Sequence, residues 1–260
     1  MTPVCVDERP TGVAPEICEY LDWDSRFFNI RIGRVGGNRL DPERMRRILE
    51  SSQKQSLDCL YFLADGDAPT LRLAEQHGFQ LVDIRVTLTT RMVGSCCPTP
   101  GASIREAVPD DIPLLREIAA ASYTASRFYQ DRHFSCNLCD ELYRVWIEKS
   151  CKGYADAVLV AEHASRAVGY VSCHLNANGT GQIGLVGVDP AARKLGLGRT
   201  LLAHVLCWFQ QRGVHEVAVV TQGSNIAAQR LYQRSGFLPK SVQLWYHFWP
   251  REQRDEGDAC

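Results

Sequence analysis

The chain has no surplus of either charge sign: 29 lysines and arginines stand against 30 aspartates and glutamates, for a formal net charge of -1. The broad basic field that nucleic acid would require is missing, so partners are expected to be small molecules held locally. No apolar run approaches membrane-spanning length, and residues 1–16 carry Asp7, Glu8 and Arg9 where a secretory leader would place a basic stretch and then an apolar one. A cytoplasmic setting with no membrane partner is expected. The 11 cysteines do not form a disulfide framework: they are odd in number and scattered, and Cys59, Cys173 and Cys207 fall inside strand or helix patterns. Cys136-Asn-Leu-Cys139 has no second pair to complete a zinc site, so ordinary thiols are expected and no metal.

What the sequence does have is concentrated in Val188-Asp-Pro-Ala-Ala-Arg-Lys-Leu-Gly-Leu-Gly-Arg-Thr200. Before it, Gln182-Ile-Gly-Leu-Val-Gly-Val188 is apolar and broken by glycines. After it, Leu197, Leu201, Leu202, Val205, Leu206 and Phe209 recur at helical spacing. The join is strand, glycine-bearing loop, helix. A helix opening leaves N–H groups without internal partners and forms the positive end of the helix dipole, so an anion is stabilised there. Gly196 and Gly198 carry no side chain to keep a phosphate from the backbone, while Arg193, Lys194 and Arg199 add positive charge. The stretch reads as a phosphate cradle. It is neither a P-loop, lacking Gly-Lys-Ser/Thr, nor the three-glycine dinucleotide fingerprint.

A length of 260 residues favours two domains over one. Residues 1–16 read as a leader, 17–93 as a first domain, 94–102 as a Pro/Gly-bearing linker, 103–250 as a second domain and 251–260 as a tail. In the first domain, residues 21–30 combine aromatic anchors with turn formers. Strands are expected at 30–35, 57–63 and 81–92, and helices from Asp41-Pro42 and over 69–77. The second should run strand 103–107, a helix capped near Asp110, a helix over 139–151, and strands at 157–162, 168–175 and 182–188. The cradle helix, a strand at 217–220, a helix at 226–235 and a strand at 242–248 complete it. Leu60 to Phe79 also lines up with Ala218 to Phe237, both closing in Gly-Phe, so the first domain reads as a worn copy of the second. In that copy Asp67 stands where Asn225 does and Ala74 where Tyr232 does.

Arg193-Lys194-Leu195-Gly196-Leu197-Gly198 fits Arg/Gln-x-x-Gly-x-Gly/Ala, and with the element order it makes the chain resemble the GCN5-related N-acetyltransferases (GNAT). The resemblance implies an α/β fold of the α+β kind: a mixed central sheet flanked by helices, here with a degenerate GNAT-like N-terminal domain. It implies acetyl-CoA as cosubstrate, with residues 193–199 (Arg193, Lys194, Leu195, Gly196, Leu197, Gly198, Arg199) on its diphosphate and Asn225 on its arm. Leu185, Val186 and Val188 are implied as backbone contacts, though an irregular strand would also explain Gly184 and Gly187. Tyr232 is implied as the acid that protonates the departing sulfur; a phenol of reference pKa about 10 suits a thiol near about 8.5. A helix cap and a packing tyrosine remain the plainer readings of Asn225 and Tyr232.

No general base stands out among Glu162, His163 and His174, and a water relay is left open; an exposed turn position suits His163. Leu21-Asp-Trp-Asp-Ser-x-Phe-Phe, Ser126-Arg-Phe, Tyr143-x-x-Trp-Ile-Glu148 and Gly169-Tyr-Val-Ser172 are similar to family members that act on amino sugars. That implies a nucleotide-linked dideoxy amino sugar as acceptor, acetylated on its 4-amino group through a ternary complex. Arg127 and Arg132 are candidates for its diphosphate, since guanidinium forks match phosphate oxygens. Another small amine or a protein N-terminus as acceptor, a non-catalytic acetyl-CoA-binding module, and a homodimer all stay open.

Overall fold

The computed structural model describes residues 17–92, 103–164 and 166–250. The expected leader, linker and tail lie outside them. The chain divides into two compact units, one made of Met1–Arg85, Gln130–Phe134 and Val242–Cys260, the other of Val86–Tyr129 and Ser135–Ser241.

The first unit carries β1 (Cys18–Tyr20), α1 (Asp22–Phe28), β2 (Ile32–Val35), α2 (Pro42–Lys54), β3 (Cys59–Asp65) and α3 (Ala68–Gln76). Residues 21–30, read from sequence as anchors and turns, instead form α1, which ends at Asn29 in the left-handed region (φ 55). Asp41 caps α2 by accepting from the Arg44 N–H at 2.8 Å, with Pro42 at the first turn where its missing N–H costs nothing. Strand β1 is antiparallel to β2, β2 is parallel to β3, and β3 is antiparallel to Gln243–Phe248 of β10 (Leu238–Phe248). Met45, Ile48, Leu60, Phe62, Ala74, Phe79, Tyr246 and Phe248 are buried together as its core. A buried carboxylate, Asp131, ties the 130–134 segment to the end of the chain. Its Oδ2 accepts from His247 Nδ1 (2.7 Å) and Trp249 Nε1 (3.0 Å), and its Oδ1 from the His133 N–H (3.0 Å), with His133 Nδ1 at 2.6 Å.

The second unit holds β5 (Ser103–Glu106), α4 (Ile112–Ala120), the short α5 (Arg127–Gln130, whose last residue belongs to the first unit) and α6 (Cys136–Lys149). Strands β6 (Ala157–His163), β7 (Arg166–Leu175) and β8 (Thr180–Val188) follow, then α7 (Leu197–Gln210), β9 (Glu216–Gln222) and α8 (Ile226–Arg234). Its strand order is β4-β9-β8-β7-β6-β5, where β4 is Gln80–Arg91 and its second half belongs here. Only β8 and β9 in the registered pairs run parallel; β5 through β8 are antiparallel. Leu201, Leu202, Val205 and Phe209 of α7 are fully buried against Val171, Cys173, Ile183, Val217 and Val219, as the periodicity predicts.

One of two helix openings differs from expectation. Helix α4 starts after Asp111, next to the expected Asp110, and the Asp111 carboxylate takes the Val108 N–H (2.8 Å) and both Arg105 Nη atoms (2.6 and 2.9 Å). Helix α6 opens at Cys136, capped by Ser135, so the two thiols of Cys136-Asn-Leu-Cys139 occupy its first turns, neither of them in a disulfide. The boundaries at 93 and 103 also differ from the limits of the units. Strand β3 pairs with the end of β10, and β9 neighbours the end of β4, so the strand following each helix-Gly-Phe segment serves the other unit.

Candidate active site

The opening of α7 is shaped by backbone conformation first. Gly196 is its N-cap at φ 78, and Lys194 at φ 68 shares the left-handed region that disfavours side chains. This turn leaves the Gly196 carbonyl accepting from the N–H groups of Arg199 (3.0 Å) and Thr200 (3.2 Å). Among the described residues, none accepts from the N–H groups of Lys194, Leu195, Gly196, Leu197 or Gly198. A row of backbone donors at the positive end of a buried helix is what an anion requires. At Gly198 a Cβ would stand 3.0 Å from Leu231 Cδ2, the flexible end of a side chain on α8 that can give way. Arg193 is a strut, its Nε donating to the Val188 carbonyl (3.3 Å) and its Nη2 to that of Ala121 (3.2 Å), while Lys194, Leu195 and Arg199 are exposed.

Strand β8 is split open beside this loop. It pairs with β9 only over Thr180–Ile183, matched to Glu216–Val219, although both strands continue further. On its other side, the register with β7 slips between Val171/Val186 and Cys173/Ile183, which leaves one extra residue on β8 opposite Ser172. The bulge is held by side chains. Ser172 Oγ accepts the Leu185 N–H at 2.7 Å, and the bareness of Gly184 makes room for Ser172 and His174, whose atoms would lie 2.7 and 2.6 Å from a Cβ. The Asp189 N–H bonds the Val168 carbonyl at 2.8 Å, so alternation turns the backbone groups of Val186 and Val188 away from β7, toward the side where β9 has parted. Leu185 departs from expectation: its N–H is turned to Ser172 and is closed to a ligand.

Phenols from three elements gather here. Tyr123, just beyond α4, donates its hydroxyl to the Val186 carbonyl at 2.9 Å and lies 3.2 Å from Tyr170 Oη; its ring stacks on Tyr143 at 4.3 Å. Burial and the neighbouring Tyr170 raise the pKa of Tyr123, and burial raises that of Tyr170. On α8, Tyr232 is buried, packed against Phe237, and burial holds its pKa well above the usual phenol. Its hydroxyl makes no hydrogen bond to another described residue, and it is close enough to Tyr123 for their charges to interact. Asn225 caps α8, its Oδ1 accepting from the Ala228 N–H at 3.1 Å.

Sequence reasoning missed Tyr123 and the Ser172 latch. The signal was Gly187, whose Cβ would lie 2.6 Å from the Tyr170 ring: a bare strand position calls for a bulky partner opposite. Arg127 is buried, with its guanidinium 4.7 Å from the Phe128 ring, which removes it from a solvent-facing diphosphate role; Arg132 is exposed. The three general-base candidates are placed as follows. Glu162 pairs with Arg105 at 3.2 Å, His163 is exposed at the strand end, and His174 is enclosed, its Nε2 3.5 Å from Ser172 Oγ and its pKa lowered by burial. Among the described residues, no group of three or more His, Cys, Asp or Glu is placed to hold a metal, and no helix is long and apolar enough to cross a membrane.

A splayed strand leads into a helix opening with unpaired N–H groups, and residues 115–237 match the acetyltransferase (GNAT) family. The chain belongs to the GNAT family of acyltransferases. Over 242 residues it is 30% identical to dTDP-fucosamine acetyltransferase of Escherichia coli, a match spanning 88% of this chain and 96% of that one. It is 30% identical to the spore coat polysaccharide biosynthesis protein SpsD of Bacillus subtilis over 56% of this chain and 50% of the relative. With mycothiol acetyltransferase of Cellulomonas flavigena it shares 29% identity over 72% of this chain and 56% of the relative. The chain thus spans about half the length of those last two relatives. Among solved structures, the GCN5-related N-acetyltransferase of Sphaerobacter thermophilus has the same fold, with a TM-score of 0.62 at 20% identity, covering 89% of this chain and 76% of that one.

Proposed function

We propose that the second unit moves an acetyl group from acetyl-CoA to a primary amine, the 4-amino group of a nucleotide-linked dideoxy amino sugar. The observation that carries the cosubstrate is the row of unpaired N–H groups from Lys194 to Gly198, which suits a diphosphate. The N–H groups of Val186 and Val188, on the parted edge, suit amide or thioester carbonyls further along the same molecule, and the Asn225 side-chain amide suits its arm. Acetyl-CoA supplies the chemistry, an electrophilic thioester with a thiolate leaving group. Tyr232 Oη holds the proton that the departing sulfur takes up; burial raises its pKa, so the phenol yields that proton only as negative charge develops on the sulfur. The amino-sugar acceptor is supported by the E. coli relative matched along 96% of its length. The first unit, with Ala74 in the place of Tyr232, is proposed to carry out no acetyl transfer of its own.

The mycothiol acetyltransferase match favours a second reading, another small amine as acceptor. A thiol-release assay over nucleotide-linked amino sugars, other amino sugars, amino acids and peptides separates the two. Release with the nucleotide-linked 4-amino sugar alone supports the first reading. Release only with an unrelated amine refutes it, and binding of acetyl-CoA with no release from any amine points to a non-catalytic module. Tyr232→Phe should lower kcat about a hundredfold while the Kd for acetyl-CoA holds within about twofold.

A further inference from the structure

Each residue facing the edge of a strand ordinarily presents one donor and one acceptor. On β8, the carbonyls of Val186 and Val188 are both taken by side chains, the first by Tyr123 Oη at 2.9 Å and the second by Arg193 Nε at 3.3 Å. Their N–H groups have no such partner. We propose that Tyr123 is a positioning residue of the transfer site: by donating to the Val186 carbonyl it holds that peptide in place and offsets the carbonyl's partial negative charge, so that a carbonyl oxygen is better held by the N–H groups of this stretch of edge. The inference rests on reading the second unit as an acetyl-CoA-dependent transferase.

The geometry supporting Tyr123 is specific. Its ring is placed by stacking on Tyr143, at 4.3 Å and 15° between planes, so the hydroxyl does not depend on a flexible tether. Because Tyr123 gives its proton to Val186, the contact with Tyr170 at 3.2 Å must be a donation from Tyr170, and a chain of aligned hydroxyls strengthens its last donor. Tyr170 in turn has its place because Gly187 lacks a side chain. The order of dependence runs from Gly187 to Tyr170 to Tyr123 to the Val186 peptide. A bare carbonyl at Val186 would set a partial negative charge beside the oxygen that gains charge when an amine attacks; the Tyr123 hydroxyl removes that opposition. In a site sheltered from water such a dipole acts at close to full strength.

The test reads polarisation directly, by carbon-13 NMR of acetyl-CoA labelled at the thioester carbonyl. Bound to the wild-type protein, that resonance should move downfield from its free position. Tyr123→Phe keeps the ring on Tyr143 and loses only the hydroxyl; it should return the resonance toward the free value and lower kcat about tenfold, with the Kd for CoA unchanged within about twofold. Tyr170→Phe, which leaves the bond to Val186 in place, should give a smaller change of the same sign. A Tyr123→Phe protein with the wild-type resonance and kcat overturns the proposal and leaves the transferase reading standing. One that loses CoA binding together with thermal stability shows a scaffold role and also overturns it. A wild-type protein that does not bind acetyl-CoA overturns the transferase reading, and this inference with it.

Discussion

Gly187→Ala tests whether the bare positions of β8 exist to accommodate neighbours. The added Cβ would lie 2.6 Å from Tyr170 Cε1, 2.8 Å from Cζ and 3.0 Å from Oη, against an ordinary carbon contact of about 3.5–4.0 Å. The ring must therefore retreat by about 1 Å, yet Tyr170 is completely buried and its hydroxyl is engaged by Tyr123. Overpacking of this kind costs about 1–3 kcal/mol, offset by the roughly 0.5–1 kcal/mol that alanine gains over glycine in a strand. A net loss of about 1–2 kcal/mol should lower the thermal midpoint by roughly 2–8 °C. Because the moving ring also abandons Tyr123, kcat should fall together with stability. Placing Gly187→Ala in a Tyr170→Leu background should erase most of the added cost, and the double-mutant cycle on unfolding free energies measures that coupling. A Gly187→Ala protein as stable as wild type, or a cycle with no coupling, refutes the packing account.

Gly196→Ala should cost about 1–2 kcal/mol in denaturant unfolding, because φ 78 strains any side chain there. Gly198→Ala meets only the end of Leu231 and should leave stability within about 0.5 kcal/mol and acetyl-CoA affinity within about threefold. For His174, burial lowers the folded pKa, so both states are neutral above the unfolded value and the unfolded chain takes up its proton first as pH falls. Stability is therefore lost as pH drops below about 6.5, and His174→Gln should flatten the fall in thermal midpoint between pH 7 and 5.5. Burial alone would raise the pKa of Asp131, but the hydrogen bonds and charge of His247, with those of His133, outweigh it and hold the carboxyl below the usual range. Its contribution is present above about pH 4 and lost in stronger acid, and Asp131→Asn should destabilise by about 3 kcal/mol at pH 7, read in denaturant unfolding.

The sequence made the opening of α7 legible because helix openings are local: Gly196, the arginines around it and the periodic leucines of α7 lie within one short stretch. Asp41 and Asn225 were legible as caps for the same reason. Strand pairing is not local, so the slip opposite Ser172 and the donation from Tyr123 to Val186 left no contiguous trace. Arg127 was misjudged because a loop arginine looks solvated until the Phe128 ring and its surroundings enclose it. Leu185 was misjudged because a bulge reverses which edge a residue serves, and only the partner strand reveals where the extra residue falls.

The exchange of terminal strands bears on how the chain is made. A ribosome that has delivered everything through β4 has still not supplied the strand that lines up with Cys59–Asp65, which is encoded far downstream. The amino-terminal half must wait, with one margin of its sheet unmatched, until Gln243–Phe248 emerges. Cutting the gene between the halves would strand both products, since each would leave behind a segment that the other needs.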